Sequence, residues 1–376
     1  MTNCSKYYIW LTQALGYNNH KIKIIYDMYD NVEDFFNGGV DEWRLSGIFN
    51  NKAIQALESV NIDVADSIIL KCNQLGISII SIDDALYPDR LRDIYAPPAV
   101  LYVSGNMPDF NNLLAIGMIG TRNATSYGVM ASHIISGSLA KLKVIIVSGG
   151  AVGIDKASHI GAMEGGGITV CVLGCGINYP YLMQNAQMRK NIIYSGGALI
   201  SEYPPDYPTA KYTFPARNRI ISGLSNGVVI VEAGEKSGSL ITATTAAEQG
   251  RDVFAVMGNI TSPYSEGTNK LIKDGAIPVM SYKDIIENYQ QYKQYNIDIE
   301  CKEKISCVMD EPVHKKNIEV SDNAKTVYYE ITAKPIHIDT IASKSGLPIN
   351  IVLQSITELE LSGLIEALRG RMYKLI

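Results

Sequence analysis

Two hydrophobic periods succeed one another along the chain, and the change between them marks its organisation. Through residues 1–82 apolar positions recur three and four apart, at Tyr8, Leu11 and Leu15, then Ile22, Ile25 and Met28, then across 53–57 and 68–75. That spacing predicts short amphipathic helices and a small helical domain. From Asn112 onward the apolar residues gather instead into short β-branched runs at 113–120, 144–148, 169–174, 198–201, 228–232 and 253–257. These runs do not alternate with polar residues, as expected of strands buried on both faces. Helical stretches at 127–142, 155–164, 183–191 and 240–250 separate most of them, so residues 83–283 are predicted to form an α/β domain. Its expected architecture is a Rossmann-like, doubly wound, mostly parallel sheet with right-handed crossovers.

Residues 284–322 are rich in Tyr, Lys, Glu and Asn without a steady period and read as a linker. From 323 to 376 the order is helix, short strand, helix, the turn Gly346-Leu347-Pro348, helix, and two strands flanking Arg369-Gly370-Arg371. That order predicts a winged-helix domain, a fold that commonly places its last helix in a duplex groove. Here that helix carries Glu358 and Glu360 and no Lys or Arg, which argues against a duplex reader. In the first segment, Leu45-Ser46-Gly47-Ile48-Phe49 is similar to the turn of a helix-hairpin-helix module. Phe49 in place of a second glycine, and the acidic surroundings, favour a plain SAM-like helical packing domain.

A chain of 376 residues with 47% hydrophobic and 19% charged residues is a folded, multidomain protein. It has no opening secretory signal and no apolar run of membrane-spanning length, so a cytoplasmic location with no membrane partner is expected. Six scattered cysteines (Cys4, Cys72, Cys171, Cys175, Cys301, Cys307) show no Cys-x-x-Cys spacing and read as free thiols, with no metal site. The net charge of −5 speaks against a polyanionic partner until it is resolved along the chain. Residues 112–280 hold 13 Lys and Arg against 10 Asp and Glu, whereas 1–111 hold 8 against 14 and 281–376 hold 12 against 14. Only the sheet domain is net positive, and phosphate binding needs a local patch rather than a basic total.

Ligands of open α/β sheets bind beyond the carboxyl ends of the strands, and the unusual residues of this chain cluster there. The first strand is followed by Gly120, Thr121 and Arg122, and the second by Ser148, Gly149, Gly150, Ala151, Val152 and Gly153. The strand ending at Glu232 leads into Ser237, Gly238 and Ser239. Three Gly/Ser/Thr-rich loops, each opening a helix, can present backbone amides to phosphates together. A fourth element, Phe214-Pro215-Ala216-Arg217-Asn218-Arg219, sets two arginines at a helix entrance. Taken alone, that pair serves equally well as an anion grip or as ion-pair partners for carboxylates across a seam.

No dinucleotide fingerprint and no Walker sequence is present, so no cofactor is expected. Nor is a nucleophile paired with a base. His20, His133, His159, His314 and His337 are the only histidines. His159, on the helix after the second loop, is better explained as a packed histidine than as a general base. Asp155 and Glu232 stand at strand ends, where they can serve as acids, cap a helix or pair with arginine.

The ordered motifs resemble the DprA/Smf family of DNA-processing proteins. They comprise Tyr87-Pro88 with Leu91, Leu101-Tyr102 with Gly105, Ile119-Gly120-Thr121-Arg122, Ser148-Gly149-Gly150-Ala151 with Gly153-Ile154-Asp155, Val172-Leu173-Gly174 with Gly176, Ser201-Glu202-Tyr203-Pro204, the Phe214 to Arg219 run, Ser237-Gly238-Ser239-Leu240-Ile241-Thr242, and Gly267-Thr268-Asn269. The resemblance implies a non-catalytic, homodimeric single-stranded DNA-binding protein that protects incoming DNA and hands it to the RecA recombinase during natural transformation or recombination. It implies that Arg122 and Lys211 contact the strand, with Phe214 supporting a base or packing. Two departures stand out. Ile168 occupies a place where relatives often carry a DNA-contacting lysine, a loss that Arg189 or Lys190 could offset, and Met257-Gly258 replaces the usual Pro-Gly. The alternative is a phosphoribohydrolase-like enzyme acting on small nucleotides, but the segment 232–242 lacks the Pro-Gly-Gly-x-Gly-Thr-x-x-Glu signature of that group.

Overall fold

The computed structural model describes residues 4–289, 320–331, 335–368 and 370–375. Contacts divide the chain into two compact units, Met1–Cys301 and Lys302–Ile376.

The first unit opens with five helices, α1 (Ser5–Leu15), α2 (Lys21–Met28), α3 (Val32–Leu45), α4 (Asn51–Ser59) and α5 (Asp63–Leu75). Their apolar stripes meet around Trp10, whose ring lies 6.5 Å from Phe35 and 5.7 Å from Trp43. Phe49 is buried against Phe35, so the turn between α3 and α4 spends its aromatic residue on packing.

Nine strands then form one sheet: β1 (Ser78–Ser81), β2 (Val100–Gly105), β3 (Ala115–Ile119), β4 (Ile145–Ser148), β5 (Thr169–Val172), β6 (Ala198–Ser201), β7 (Gly227–Ile230), β8 (Asp252–Val256) and β9 (Ile277–Val279). Their order is β1-β2-β6-β5-β4-β3-β7-β8-β9. The seven strands from β6 to β9 are parallel throughout, and β2 and β1 add to the β6 edge in antiparallel register. The doubly wound, mostly parallel sheet expected from the apolar runs is therefore present. Successive residues alternate between its faces. Ile116, Met118, Ile146, Val229 and Val231 pack with α7 (Ser126–Lys141) and α13 (Tyr282–Tyr289) in one core, while Ala115, Ile119, Val147, Val228 and Ile230 face the other.

That second core also contains Tyr8, Trp10, Leu11 and Phe35 from the helices, so one apolar interior crosses the boundary expected near residue 82. Residues 78–81, assigned from periodicity to the helical segment, are the first strand of the sheet. The expected linker also begins too early. Residues 284–289 belong to α13, whose Ile285, Ile286 and Tyr289 are buried and whose Tyr289 hydroxyl donates to Asp252 Oδ2 at 2.7 Å. Cys301, Cys307, His314 and most of the expected linker lie outside the described residues. Among the described residues, no helix is long and apolar enough to cross a membrane, and no cluster of His, Cys, Asp and Glu could hold a metal.

The second unit packs α14 (Asp322–Glu330), α15 (Ile338–Ser345) and α16 (Ile349–Leu361) beside a three-stranded sheet of β10 (Ile336–His337), β12 (Met372–Leu375) and β11 (Ile365–Leu368). Val327, Ile341, Val352, Ile356 and Leu359 form its core in the winged-helix arrangement. Arg369 of the expected basic hairpin lies outside the described residues.

His159 faces inward from α8 (Ile154–Glu164) and is fully buried. Its Nδ1 lies 2.7 Å from Thr169 Oγ1, and that hydroxyl donates to the Ile146 carbonyl. The hydroxyl proton being spent, Nδ1 must carry the hydrogen, which leaves Nε2 bare and without a partner. Burial, reinforced by Arg217, pulls its pKa down to about 3. A histidine that is neutral when folded and free to protonate when unfolded contributes stability in full above its unfolded pKa. That contribution disappears as pH falls through the window from about 6.5 to about 3, at up to about 1.4 kcal/mol per pH unit. Urea denaturation of wild type and His159→Asn across this window should show a shallower pH dependence in the variant, which keeps a donor for Thr169; parallel curves would refute the assignment.

Candidate nucleic-acid interface

The strand order reverses around β3, whose neighbours are β4 on one side and β7 on the other. The crossover connections after β3 and β7 therefore lead away in opposite directions and leave a crevice between them, the usual ligand position in an open sheet. A cleft of about 870 Å³ occupies that position. Its walls are the Gly120–Asn123 loop after β3, the Ser237–Ser239 entrance of α11 (Gly238–Glu248), and the Thr209–Lys211 approach to α10 (Thr213–Leu224). Pro215, Arg217 and Asn218 line it from α10.

Arg217 is 5% exposed, and its Nη1 donates to the carbonyls of Gly149 (2.7 Å) and Val172. Its Nε donates to Asn218 Oδ1 at 3.2 Å, and Asn218 in turn donates to Thr242 Oγ1 at 2.9 Å, tying α10 to α11. Burial lowers the Arg217 pKa, an effect that the nearby Asp155 carboxylate opposes. Asp155 is itself raised by burial and pulled back by Arg217 and by the amide of Ala151. A guanidinium remains charged under such perturbation, so the cleft floor carries a fixed positive charge.

Arg122 and Lys211 are exposed on the rim. The Arg122 guanidinium lies 5.5 Å from the centroid of the Phe214 ring, and the Tyr181 ring is 5.4 Å beyond Phe214. This cation–π contact restricts the long Arg122 side chain in the geometry an anion would meet. Phe214 thus packs between Arg122 and Tyr181 and supports Arg122 in doing so, while also lining the cleft. A small pocket beside the cleft shares Arg122, Phe214 and Arg217 with it and adds Gly149, Gly150, Tyr181 and Arg189.

Not every expected contact residue reaches the cleft. Ser148 is fully buried and donates to the Met118 carbonyl at 2.6 Å, joining β4 to β3. Gly153, at φ 79°, opens α8 beneath the β3 loop, where a Cβ would stand 2.5 Å from the Thr121 carbonyl oxygen. Arg219 points to the opposite side of α10. Its Nη2 meets Glu202 Oε2 at 2.5 Å and its Nε meets Asn18 Oδ1 at 2.6 Å. Of the two roles open to the arginine pair, Arg217 fits the grip and Arg219 the seam. The helical period explains the division, since residues two apart face opposite sides of a helix.

The two acids at strand ends are also committed within the protein. Glu232 accepts from the amide and hydroxyl of Thr125, the N-cap of α7, rather than pairing with an arginine. Asp155 accepts from the loop above it. Tyr181 was missed, although the run Tyr179-Pro180-Tyr181 beyond the fifth strand sits where such sheets bind ligands.

Comparison with known proteins follows the same boundaries. The family model for DNA recombination-mediator protein A matches residues 78–290, from β1 to the end of α13, and that for the DprA winged helix domain matches 313–371. The chain belongs to the DNA recombination-mediator protein A family. It is 44% identical over 212 residues to the DNA processing protein DprA of Bacillus subtilis, covering 56% of this chain and 71% of that one. It is 37% identical over 301 residues to Protein Smf of Escherichia coli, covering 79% and 77% respectively. The solved structure of Streptococcus pneumoniae DNA processing protein A matches with a TM-score of 0.64 at 31% identity, covering 76% of this chain and 98% of that one. That of the Helicobacter pylori protein, described for its single-stranded DNA binding mode, matches at 0.51 and 28%, covering 57% and 96%.

Against this family background the Ile168 departure lies away from the cleft. Ile168 directly precedes β5, at the amino end of the strand, and packs against the apolar core. The cleft opens beyond the carboxyl ends, so a change at 168 does not alter its lining. Arg189 does not replace a missing contact freely either, because its guanidinium donates to the Tyr181 and Leu182 carbonyls.

The Arg219 and Glu202 pair is almost fully buried and joins α10, the end of β6 and the α1–α2 turn. Removing one member leaves an uncompensated buried group, a loss of about 3–5 kcal/mol. Arg219→Ala should lower unfolding free energy by that order in urea titrations, while the folded fraction keeps wild-type affinity for single-stranded DNA. A selective loss of affinity without loss of stability would place Arg219 back in the cleft.

Proposed function

We propose that this protein binds single-stranded DNA in the cleft at the strand switch point, without catalysis. The observation that carries the reading is the composition of that cleft. A fixed guanidinium at its floor (Arg217), two exposed cations on its rim (Arg122 and Lys211) and glycine- and serine-rich helix entrances provide what a phosphodiester chain needs. The groups that could move a proton are otherwise engaged: Asp155 and Glu232 accept hydrogen bonds from the protein, and His159 is buried. The single-stranded DNA binding mode of the Helicobacter pylori relative supports the same ligand class.

In this reading Gly120, Thr121, Arg122, Gly149, Gly150, Lys211, Arg217, Ser237, Gly238 and Ser239 track the sugar-phosphate backbone, Phe214 holds Arg122, and Asn218 locks α10 to α11. Ser148, Gly153 and Arg219 support the site from behind. Family membership supports the wider role, namely a cytoplasmic homodimer that protects the strand and loads RecA during transformation or recombination. Turnover of a small nucleotide fits less well, because Asp155, the one carboxylate in the cleft lining, is buried and accepts from the Ala151 amide. For the winged helix a protein partner fits better than a duplex. Glu358 of its last helix accepts from the amide and hydroxyl of Ser321, and Ile349, Leu353 and Leu361 are exposed on that helix, which lacks Lys and Arg.

Fluorescence anisotropy with a labelled single strand and its duplex, over a salt series, tests this function. The single strand should bind more tightly, with a log–log salt slope of about −0.7 per phosphate neutralised. Arg122→Glu should weaken binding to all sequences alike and make that slope shallower by about 0.7 or more. Equal affinity for duplex and single strand, or indifference to Arg122, would reject the cleft as the binding site.

A further inference from the structure

Beside the Lys211 end of the cleft stands a group of four tyrosines that the cleft itself does not use. Tyr203 is buried, and Tyr207 stacks on it with ring centroids 4.7 Å apart and planes 15° from parallel. Tyr17, from the α1–α2 turn, meets both rings edge-on, at 4.7 Å from Tyr203 and 5.2 Å from Tyr207. Tyr207 is half-buried, and its hydroxyl lies 3.1 Å from that of Tyr212, whose side chain is 64% exposed. Tyr212 follows Lys211 directly, and Thr209, Ala210 and Lys211 already line the cleft.

We infer that Tyr207 and Tyr212 form a base-stacking platform that continues the single-strand path past Lys211. This rests on the cleft reading and adds to it a contact with the bases rather than the phosphates. Exposed aromatic rings beside a cationic groove are how proteins hold single-stranded nucleic acid without regard to sequence, because every base has a π-face. Here the platform is backed by Tyr203, which is buried, and by Tyr17, whose hydroxyl accepts from Gln13, so its rings are ordered before the strand arrives. The acid next to Tyr207 in the chain is paired elsewhere. Asp206 accepts a hydrogen bond from Asn178 at 2.5 Å and pairs with Lys71 at 3.3 Å, and its pKa is lowered by those contacts. Lys211 supplies a cation next to the platform for the phosphate between stacked nucleotides.

Anisotropy titrations with an oligothymidylate and with an abasic strand of equal length separate this platform from the cleft. Tyr212→Leu should weaken oligothymidylate binding roughly five- to tenfold and leave abasic-strand binding unchanged, while Tyr212→Phe keeps wild-type affinity for both. Tyr207→Leu should behave as Tyr212→Leu does. Because Tyr212 is exposed, its substitution should not disturb folding, which circular dichroism and a urea midpoint will confirm. If Tyr212→Leu and Tyr207→Leu leave oligothymidylate binding intact while Arg122→Glu weakens both strands, the platform is wrong and the cleft stands. Equal weakening of both strands by Tyr212→Leu would also overturn the platform, since it would trace to a displaced Lys211. Indifference of both strands to Arg122→Glu would overturn the cleft reading and the platform with it.

Discussion

A guanidinium buried where two strands end sets the geometry of the whole rim. Arg217 reaches from α10 to the carbonyls of Gly149 and Val172, and so joins the ends of β4 and β5 to the helix that walls the cleft. Burying such a charge is costly unless its donors are satisfied, and here carbonyls at strand ends satisfy them while the nearby Asp155 carboxylate favours the charged form. The approach is close enough to dictate sequence. A Cβ on Gly149 would stand 2.4 Å from Nη1, so the glycine that reads as a phosphate-loop residue is also required by the arginine beneath it. With Arg217 fixed, Phe214 one turn earlier is fixed too, and through the 5.5 Å contact so is Arg122.

The same helix divides its labour by face. Arg217 and Asn218 look into the cleft, whereas Arg219 and its Glu202 partner look toward the helical segment, where Asn18 completes the contact. This buried pair, together with the core shared by Trp10, Leu11 and the sheet, makes the first five helices part of the same unit as the sheet. The tyrosines at 17, 203 and 207 lie along that seam. A path along them would therefore use both segments of the unit.

The sheet was legible because parallel strands are buried on both faces and leave unbroken apolar runs; six of the nine could be read that way. The three missed strands were hidden for physical reasons. β1 lies at one edge and β9 at the other, and β9 is a three-residue strand containing Pro278. β2 pairs antiparallel and follows the turn-like Ala96-Pro97-Pro98, which masks its run. At the site, the glycine loops and Arg122 were legible from their position after strands. The opposite facing of Arg217 and Arg219 was not, since it depends on where Glu202 and Asn18 arrive in space. The Ile168 departure came with the family resemblance, and the strand end it occupies, the amino end of β5, is visible only in the structure.

The net charge of −5 and a polyanion cleft are reconciled by where the acids sit. Two acids near the cleft are held by hydrogen bonds to the protein, Glu232 at the start of α7 and the buried Asp155 by the amide of Ala151. Interactions between exposed charges are largely screened beyond about 8 Å at physiological ionic strength, so the acidic surface of the first helices has little reach into the cleft. In the proposed site Arg122, Lys211 and Arg217 would meet a phosphate at contact distance, where screening is weakest. A chain can therefore be acidic on average and still present the local cationic crevice that the proposed single-strand site needs.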